Sequence, residues 1–191
     1  GANFDGHQAA AEAAEKKAAA IIVSQEVELP EQTETTLIRV EDTRYALAFV
    51  SAAWFDHPAK KLTTIGITGT KGKTTTTYLV KSILENAGRK VGLVGTIEII
   101  IGDTHIHAVN TTPESYLLQE YFAKMVESGC DTVVMEVSSQ ALMLHRTQGF
   151  VFDFGIFTNL EPDHIGPNEH GSFEEYAHCK SLLFQQCRVG I

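Results

Sequence analysis

The chain has 191 residues, of which 43% are hydrophobic and 20% are charged, a balance typical of a soluble globular protein. Its formal net charge is −9, so binding to nucleic acid through a basic surface is not expected. No apolar run approaches the roughly 18 residues of a membrane span. The three cysteines have no metal-type spacing, and their odd number argues against a disulfide framework, which favours a reducing, cytoplasmic location.

The first 61 residues predict a small α/β domain. Alanine- and glutamate-rich sequence indicates a helix, and apolar or alternating runs indicate two strands before a second helix. A proline and two lysines then interrupt the pattern, as in a connector. The predicted elements are a helix over 7–17, strands over 18–23 and 36–40, a helix over 43–55 and a connector over 57–61.

Residues 62–191 predict a larger domain in which strands alternate with helices. The predicted strands cover 63–68, 90–94, 97–101, 132–137 and 154–158, and the predicted helices cover 74–87, 113–128 and 173–186. This order favours a mostly parallel sheet with helices on both faces. The fold class expected for the whole chain is α/β, with a small N-terminal domain followed by a phosphate-loop domain.

A glycine-rich segment follows the predicted strand over 63–68. Residues 69–75 have the sequence Gly-Thr-Lys-Gly-Lys-Thr-Thr and lead into a predicted helix. Glycines let backbone amides approach phosphate oxygens, and the start of a helix favours negative charge. In such a loop Lys73 reaches the β- and γ-phosphates of ATP and the Thr74 hydroxyl binds Mg²⁺. Ile67 stands where the strict pattern has its first glycine, so this is not a standard Walker A motif.

Charged residues follow other predicted strands, where ligands gather in open parallel sheets. Glu136 ends the strand over 132–137, and a carboxylate there is costly unless it is paired or binds a metal, which favours Mg²⁺. Asp163 and His164 follow the strand over 154–158, and His164 is a candidate metal ligand. Lys180 lies on the last predicted helix, where sequence alone predicts an ordinary solvated lysine.

The segment Asn-Thr-Thr-Pro over 110–113 precedes a predicted helix. An asparagine N-cap with proline at the first helical position would explain it completely. A contact with a ligand at the edge of the sheet is the functional alternative.

Taken in order, these motifs resemble the Mur ligase family, and within it the E-type enzymes that add the third peptide residue. The motifs that carry the resemblance are residues 69–75, Asn-Thr-Thr-Pro over 110–113, Met-Glu-Val-Ser-Ser over 135–139, His145-Arg146, Phe-Thr-Asn-Leu over 157–160, Asp163-His164 and Tyr-Ala-His-Cys-Lys over 176–180.

The resemblance implies a role for each of these residues, with ATP and Mg²⁺ as cofactors. The nucleotide would be bound by Gly69, Thr70, Lys71, Gly72, Lys73, Thr74 and Thr75. The metal ligands would be Thr74, Glu136, His164 and a carbamylated Lys180, and catalysis would depend on Lys73, Lys180 and His164. The substrate would contact Asn110, Thr111, Thr112, Ser138 and Arg146.

Two departures from the family pattern stand out. The segment after Asp163 is longer than the commoner family form, which leaves the equivalence of His170 open. Gln140 replaces a frequent histidine.

The implied reaction joins an amino acid to UDP-N-acetylmuramoyl-L-alanyl-D-glutamate through an acyl phosphate. The sequence does not decide between meso-diaminopimelate and L-lysine, and it implies no nucleic-acid or membrane partner. Residues 1–61 would belong to a clipped UDP-binding domain and residues 62–191 to the central ATPase domain, without the third domain, so we expect little or no ligase activity from this chain alone. The alternatives are a folylpolyglutamate- or cyanophycin-type amide ligase, or a non-catalytic nucleotide-binding module.

Overall fold

The computed structural model of the protein describes residues 5–163, 165–167 and 169–191. The described residues form two compact units, which divide between Ala46 and Leu47. These units divide within the helix Thr43–Trp54, upstream of the domain boundary predicted after residue 61. The roles of the two predicted domains stay predictions. Within the described residues, no helix combines the length and the apolar character that a bilayer crossing requires.

The first unit contains short elements that match the predicted order of helix, strand and strand. β1 and β2 pair in parallel, with Ala20 opposite Thr36 and Val23 opposite Arg39. The predicted helix over 7–17 is divided into a 3-10 turn and a six-residue α-helix. The elements are the turn Gly6–Ala9, α1 (Ala10–Glu15), β1 (Ala20–Val23) and β2 (Thr36–Arg39), followed by α2 (Thr43–Trp54) across the division between units.

The second unit is an α/β fold around one sheet. A 3-10 turn, Pro58–Lys61, leads into its first strand. The strands are β3 (Thr63–Thr68), β4 (Val91–Val94), β5 (Glu98–Ile101), β6 (Thr104–His107), β7 (Thr132–Glu136), β8 (Phe152–Phe157) and β9 (Cys187–Gly190). The helices are α3 (Lys73–Asn86), α4 (Ser115–Glu127), α5 (Ser139–Met143) and α6 (Phe173–Gln185).

The described strands of this sheet have the order β6-β5-β4-β7-β3-β8-β9. β4, β7, β3, β8 and β9 are parallel neighbours, whereas β5 and β6 form an antiparallel hairpin on the β4 edge. The predicted α/β class with a mostly parallel sheet is therefore confirmed. The parallel arrangement places the carboxyl ends of four central strands at one edge.

Helices cover both faces of the sheet because the central strands are apolar on both sides. On one face α3 packs against a cluster that includes Ile65 and Ile67 of β3. On the other face α4 and α6 contribute Met125 and Leu183 to the larger cluster. Gly92 allows the Met125 side chain of α4 to pack closely on β4, since a Cβ added there would lie 2.5 Å from the Met125 sulfur.

Three elements are absent from the sequence prediction. β6 follows a tight turn at Gly102, whose φ of +56° favours glycine, and the Gly102-Asp103 pair is the signal that could have revealed the hairpin. α5 has only five residues and begins at Ser138, whose side chain accepts a hydrogen bond from the Ala141 amide. β9 exists through its pairing with β8, a contact that local sequence does not encode.

The N-cap interpretation of residues 110–113 is wrong. α4 begins at Ser115, and its N-cap is Glu114 in an extended conformation. Asn110 and Pro113 therefore lie in the connection before the helix, and the prediction of a helix from residue 113 placed its start two residues too early.

Candidate functional site

Four neighbouring strands bring polar segments to one edge of the sheet. β3 is followed by the glycine-rich segment 69–75, the phosphate loop. β4 is followed by Gly95 and Thr96, and β8 is followed by Thr158 and Asn159. β7 ends on Glu136. Because these strands are parallel neighbours, the segments that follow them lie side by side. Residues separated by up to about 90 positions along the chain are in hydrogen-bond contact here.

The phosphate loop depends on two glycines in positive-φ conformations. Gly69 has a φ of +143°, and a Cβ added there would lie 2.0 Å from the Thr158 hydroxyl oxygen. Gly72 has a φ of +82° and immediately precedes α3. Any other residue at Gly69 would displace the loop, so the glycine fixes the close approach of β3 and β8.

Lys73 is folded back onto the loop that it follows. Its Nζ donates to the Gly69 carbonyl at 2.9 Å and to the Thr70 carbonyl at 3.0 Å. Burial lowers the pKa of Lys73. The loop therefore already holds a cation at its centre, where a bound anion would be stabilised.

The loop is anchored by the segment after β8 and by α6. The Thr70 amide donates to the Asn159 carbonyl at 3.0 Å, and the Thr158 hydroxyl donates to the Lys71 carbonyl at 2.9 Å. Tyr176 of α6 donates its hydroxyl to the Thr70 side chain at 3.0 Å. These contacts hold the loop against the segment after β8 and against α6.

Lys71 and Thr75 lie on the exposed side of the loop. The Lys71 side chain donates to Glu161, and this hydrogen bond raises the pKa of Lys71. Thr75 lies in the first turn of α3. Both residues therefore lie on the surface of the segment 69–75, and their predicted contact with a nucleotide stays a prediction.

Glu136 is buried, with 1% of its surface exposed, and its carboxylate is held by two threonines. The Thr74 hydroxyl lies 3.0 Å from each carboxylate oxygen. The Thr96 amide donates to Oε1 at 2.9 Å and the Thr96 hydroxyl to Oε2 at 3.1 Å. Every described partner is a neutral donor, which leaves the carboxylate charge available for a cation.

Thr74 and Glu136 supply hard oxygen donors, the ligand type that Mg²⁺ prefers, so the residues present fit this metal. No group of three or more His, Cys, Asp or Glu side chains close enough to hold a metal occurs in the described ranges, 5–163, 165–167 and 169–191. The predicted ligand His164 lies outside the described residues.

Lys180 of α6 is buried against the phosphate loop, with 1% of its surface exposed. Its Nζ donates to the Gly69 carbonyl at 2.7 Å and lies 4.6 Å from the centre of the Tyr176 ring. Burial, together with repulsion from Lys73, lowers the pKa of Lys180 to about 7, against a smaller opposing effect of Asp163. The expectation of an ordinary solvated lysine is therefore wrong for this residue.

The predicted substrate residues and the two lysines line one pocket of about 240 Å³. Thr112 is the most buried of them, and its hydroxyl donates to the Glu136 carbonyl at 2.9 Å and accepts from the Ser138 amide at 3.1 Å. Thr112 thus fixes the wall of the pocket. The lining residues are Lys73, Asn110, Thr111, Thr112, Ser138, Ser139, Gln140, Arg146, Glu169 and Lys180.

Arg146 provides the pocket with a further positive charge besides those of Lys73 and Lys180. Its Nη1 donates to the Thr112 carbonyl at 3.2 Å, and its Nη2 lies 2.7 Å from a Glu114 carboxylate oxygen. The Arg146 Nε is buried without a hydrogen-bond partner among the described residues. The guanidinium is therefore held in place with donor capacity in reserve.

Three residues that shape the site had no predicted role, although Ser139 and Tyr176 lie within the motifs that carry the resemblance. Thr96 contacts Glu136, Tyr176 contacts Thr70, and Ser139 lines the pocket with its hydroxyl 2.8 Å from the His170 Nε2. His170 is buried, so the residue whose equivalence was left open lies beside the pocket wall. A Gly-Thr pair directly after an apolar strand was the available signal for Thr96.

Comparison with known proteins is consistent with this geometry. Residues 67–191 match the family described as the Mur ligase middle domain. The chain is 48% identical to the UDP-N-acetylmuramoyl-L-alanyl-D-glutamate–2,6-diaminopimelate ligase of Clostridium perfringens, a match covering 100% of this chain and 39% of that protein. It is also 48% identical to the ligase of the same name from Bacillus licheniformis, covering 97% of this chain and 37% of that protein.

A solved structure of a UDP-N-acetylmuramoyl-L-alanyl-D-glutamate–2,6-diaminopimelate ligase has the same fold. It superposes with a TM-score of 0.78 at 26% identity, over 94% of this chain and 36% of the other chain. The chain thus spans less than two fifths of the length of the relatives it matches, 39% and 37% for the two curated proteins.

Proposed function

The chain belongs to the Mur ligase family, and on that premise we propose that it forms the nucleotide-binding part of an ATP-dependent amide ligase. The whole protein joins 2,6-diaminopimelate to UDP-N-acetylmuramoyl-L-alanyl-D-glutamate, the substrates named for its relatives. The observation that carries this proposal is one pocket whose lining includes Lys73, Lys180, Thr111 and Arg146. We place the reaction in the cytoplasm, which suits three free cysteines.

On the nucleotide side, the loop amides and Lys73 bind the phosphates of ATP. Lys73 exchanges its contacts with two loop carbonyls for phosphate oxygens, which carry full negative charge and are stronger acceptors. Its positive charge stabilises the γ-phosphoryl group during transfer, a reaction in which positioning and electrostatics supply most of the catalysis.

Thr74 and Glu136 would hold Mg²⁺, which would supply positive charge to the phosphate oxygens when bound. Lys180 and His164 would contribute to a second metal position. Lys180 as an ammonium cannot bind a cation, so we propose that it is carbamylated. CO₂ adds to the neutral amine, an N–C bond forms, a proton is lost to solvent, and the product is an anionic oxygen ligand.

Three features of Lys180 support the carbamate. Its side chain is buried, with only 1% exposed, beside the positive charge of Lys73, and both effects favour the neutral amine that reacts with CO₂. Within the described chain no carboxylate lies at ion-pair distance from its Nζ. A carbamate there would be stabilised by Lys73, which is the opposite of what an ammonium experiences.

On the acceptor side, Arg146 binds a carboxylate or phosphate group of the muramoyl peptide, and Asn110, Thr111 and Ser138 provide neutral hydrogen bonds. The D-glutamate carboxylate attacks the γ-phosphorus of ATP, forming an acyl phosphate as the bond to ADP breaks. The amine of diaminopimelate then attacks the carbonyl carbon, the amide bond forms, and phosphate leaves with the bridging oxygen.

The proposal is tested by turnover of the protein that carries this chain. ADP release should require both the UDP-linked dipeptide and diaminopimelate, and Lys73→Ala should abolish it. Thr104→Val, at an exposed hairpin position far along the chain from the loop, serves as the matched control and should turn over normally. Release of ADP with a folate-type acceptor, or independent of any acceptor, would contradict the proposal.

A further inference from the structure

Thr96 contacts both Glu136, which also contacts Thr74 of the phosphate loop, and Thr111, which lines the pocket. It lies in the turn between β4 and β5, after Gly95. Gly95 allows this turn to close over the carboxylate, because a Cβ added there would lie 2.8 Å from the Glu136 Oε1. A glycine therefore precedes the threonine for a steric reason.

Thr96 holds both oxygens of Glu136 at once. Its amide donates to Oε1 at 2.9 Å and its hydroxyl to Oε2 at 3.1 Å, which fixes the plane of the carboxylate. The Thr74 hydroxyl also contacts both oxygens, but Thr74 would turn its oxygen toward a cation when a nucleotide binds. Thr96 would then be the remaining donor that orients Glu136.

The Thr96 hydroxyl also reaches the acceptor side of the pocket. Its oxygen lies 3.1 Å from the Thr111 hydroxyl oxygen. A carboxylate can only accept, so the single Thr96 proton is directed to Glu136, and the Thr111 hydroxyl must donate to Thr96. The chain of hydrogen bonds thus runs from Thr111 through Thr96 to Glu136, and Thr111 presents only acceptor lone pairs to the pocket.

We propose that Thr96 is a positioning residue for this site: it orients Glu136 for the nucleotide-bound cation and directs Thr111 to accept a hydrogen bond from an N–H or O–H group of the acceptor substrate. This inference rests on the proposed function and extends it. Thr96 joins the nucleotide and acceptor sides through one hydroxyl group. Loss of that hydroxyl weakens binding on both sides by separate routes.

The test is nucleotide affinity measured by calorimetry in the protein that carries this chain, with Mg²⁺ and with EDTA. For the unaltered protein, Mg²⁺ should tighten ADP binding. The gain from Mg²⁺ is the ratio of the ADP affinity measured with Mg²⁺ to that measured with EDTA. Thr96→Val removes the hydroxyl, and we expect it to reduce the gain from Mg²⁺ about tenfold, as for a lost hydrogen bond to a charged group. Affinity in EDTA should change less than about twofold, because Thr96 does not contact the phosphate loop.

Three further variants separate positioning from folding. Thr96→Ser keeps the hydroxyl and should restore the gain, while Thr96→Ala should behave like Thr96→Val without adding apolar surface. Thr104→Val alters an exposed threonine of the same hairpin and should leave every value unchanged. Thr96→Ser keeps the hydrogen bond to Glu136 and should melt at a temperature close to that of the unaltered protein, whereas Thr96→Val and Thr96→Ala lose this bond and should melt somewhat lower while remaining folded at the temperature of the binding measurement.

The acceptor side is measured as KM and kcat for the UDP-linked dipeptide. Thr111→Val should raise this KM without altering the gain from Mg²⁺, whereas Thr96→Val should alter both. An unchanged gain from Mg²⁺ in Thr96→Val would overturn the role of Thr96 while leaving the proposed function intact. If the unaltered protein shows no gain from Mg²⁺, the proposed function and this inference both fail.

Discussion

The Lys180 ammonium nitrogen lies 2.7 Å from the Gly69 carbonyl oxygen, which joins the last described helix to the first residue of the phosphate loop. This buried lysine forms no ion pair with a described carboxylate, and the nearby cation of Lys73 lowers its pKa more than Asp163 raises it. The loop and Lys180 therefore form one electrostatic unit. The chemical state of Lys180 decides whether that unit repels or attracts a cation.

Carbamylation of Lys180 is directly observable. In buffer containing ¹³C-labelled bicarbonate, we expect a carbamate carbon resonance from the native protein that disappears in Lys180→Arg. Activity should fall when CO₂ is removed and return when bicarbonate is restored. A native spectrum identical to that of Lys180→Arg would show that the lysine remains an amine.

The pH dependence of stability follows from the same burial. The pKa of Lys180 is about 7 in the folded protein against 10.5 for the unperturbed side chain, so the unfolded chain binds more protons between these values. The Lys180 contribution to the free energy of unfolding therefore rises with pH, by at most about 1.4 kcal/mol per unit. In CO₂-free buffer, Lys180→Met should be more stable than the native protein at pH 7.

The advantage of Lys180→Met should shrink as the pH rises from 7 to 9, by about 2 kcal/mol. Urea denaturation at each pH measures the difference between the two proteins, which cancels the titration of other groups. A difference that is constant over this range would mean that Lys180 titrates in the folded protein as it does in solution.

Gly69 should tolerate substitution less than another positive-φ glycine. At Gly69 an added methyl would lie 2.0 Å from the Thr158 hydroxyl oxygen, whereas the space around Gly88, at a φ of +85°, is open. We expect Gly88→Ala to lower the free energy of unfolding by about 1 kcal/mol. Gly69→Ala should cost at least about 2 kcal/mol and also weaken nucleotide binding. Equal costs in urea denaturation would contradict this steric account.

Much of this arrangement could be predicted from the sequence because its signals are local. The β-branched run before the phosphate loop predicted β3 at its observed bounds, Thr63–Thr68. The placement of Glu136 at the end of a buried strand followed from the same reasoning. In both cases a periodic pattern and a polar residue at its end define an element and its edge.

The features that were missed depend on contacts between distant residues. Thr96 is marked in the sequence only by the glycine before it, and its role depends on Glu136, which lies next to it across two paired strands. Lys180 has the sequence of an ordinary helix lysine, and its burial results from the packing of α6 beside the loop. β9 requires β8 as a partner. Periodicity does not contain this information.

Arg146 should determine acceptor affinity through its geometry as well as its charge. A lysine at this position keeps the positive charge but cannot contact both the Thr112 carbonyl and Glu114 as the guanidinium does. We expect Arg146→Lys to raise KM for the UDP-linked dipeptide about tenfold, with a smaller change in KM for ATP. Equal changes in the two KM values in steady-state kinetics would place Arg146 outside the acceptor subsite.

The transfer of oxygen during turnover tests the proposed ligase reaction most directly. The protein that carries this chain would be supplied with ATP, Mg²⁺, diaminopimelate and UDP-N-acetylmuramoyl-L-alanyl-D-glutamate labelled with ¹⁸O in the D-glutamate carboxylate. If that carboxylate attacks the γ-phosphorus, one ¹⁸O atom should appear in each phosphate released, as measured by mass spectrometry. Amide product accompanied by unlabelled phosphate, or no amide product at all, would contradict the proposed function.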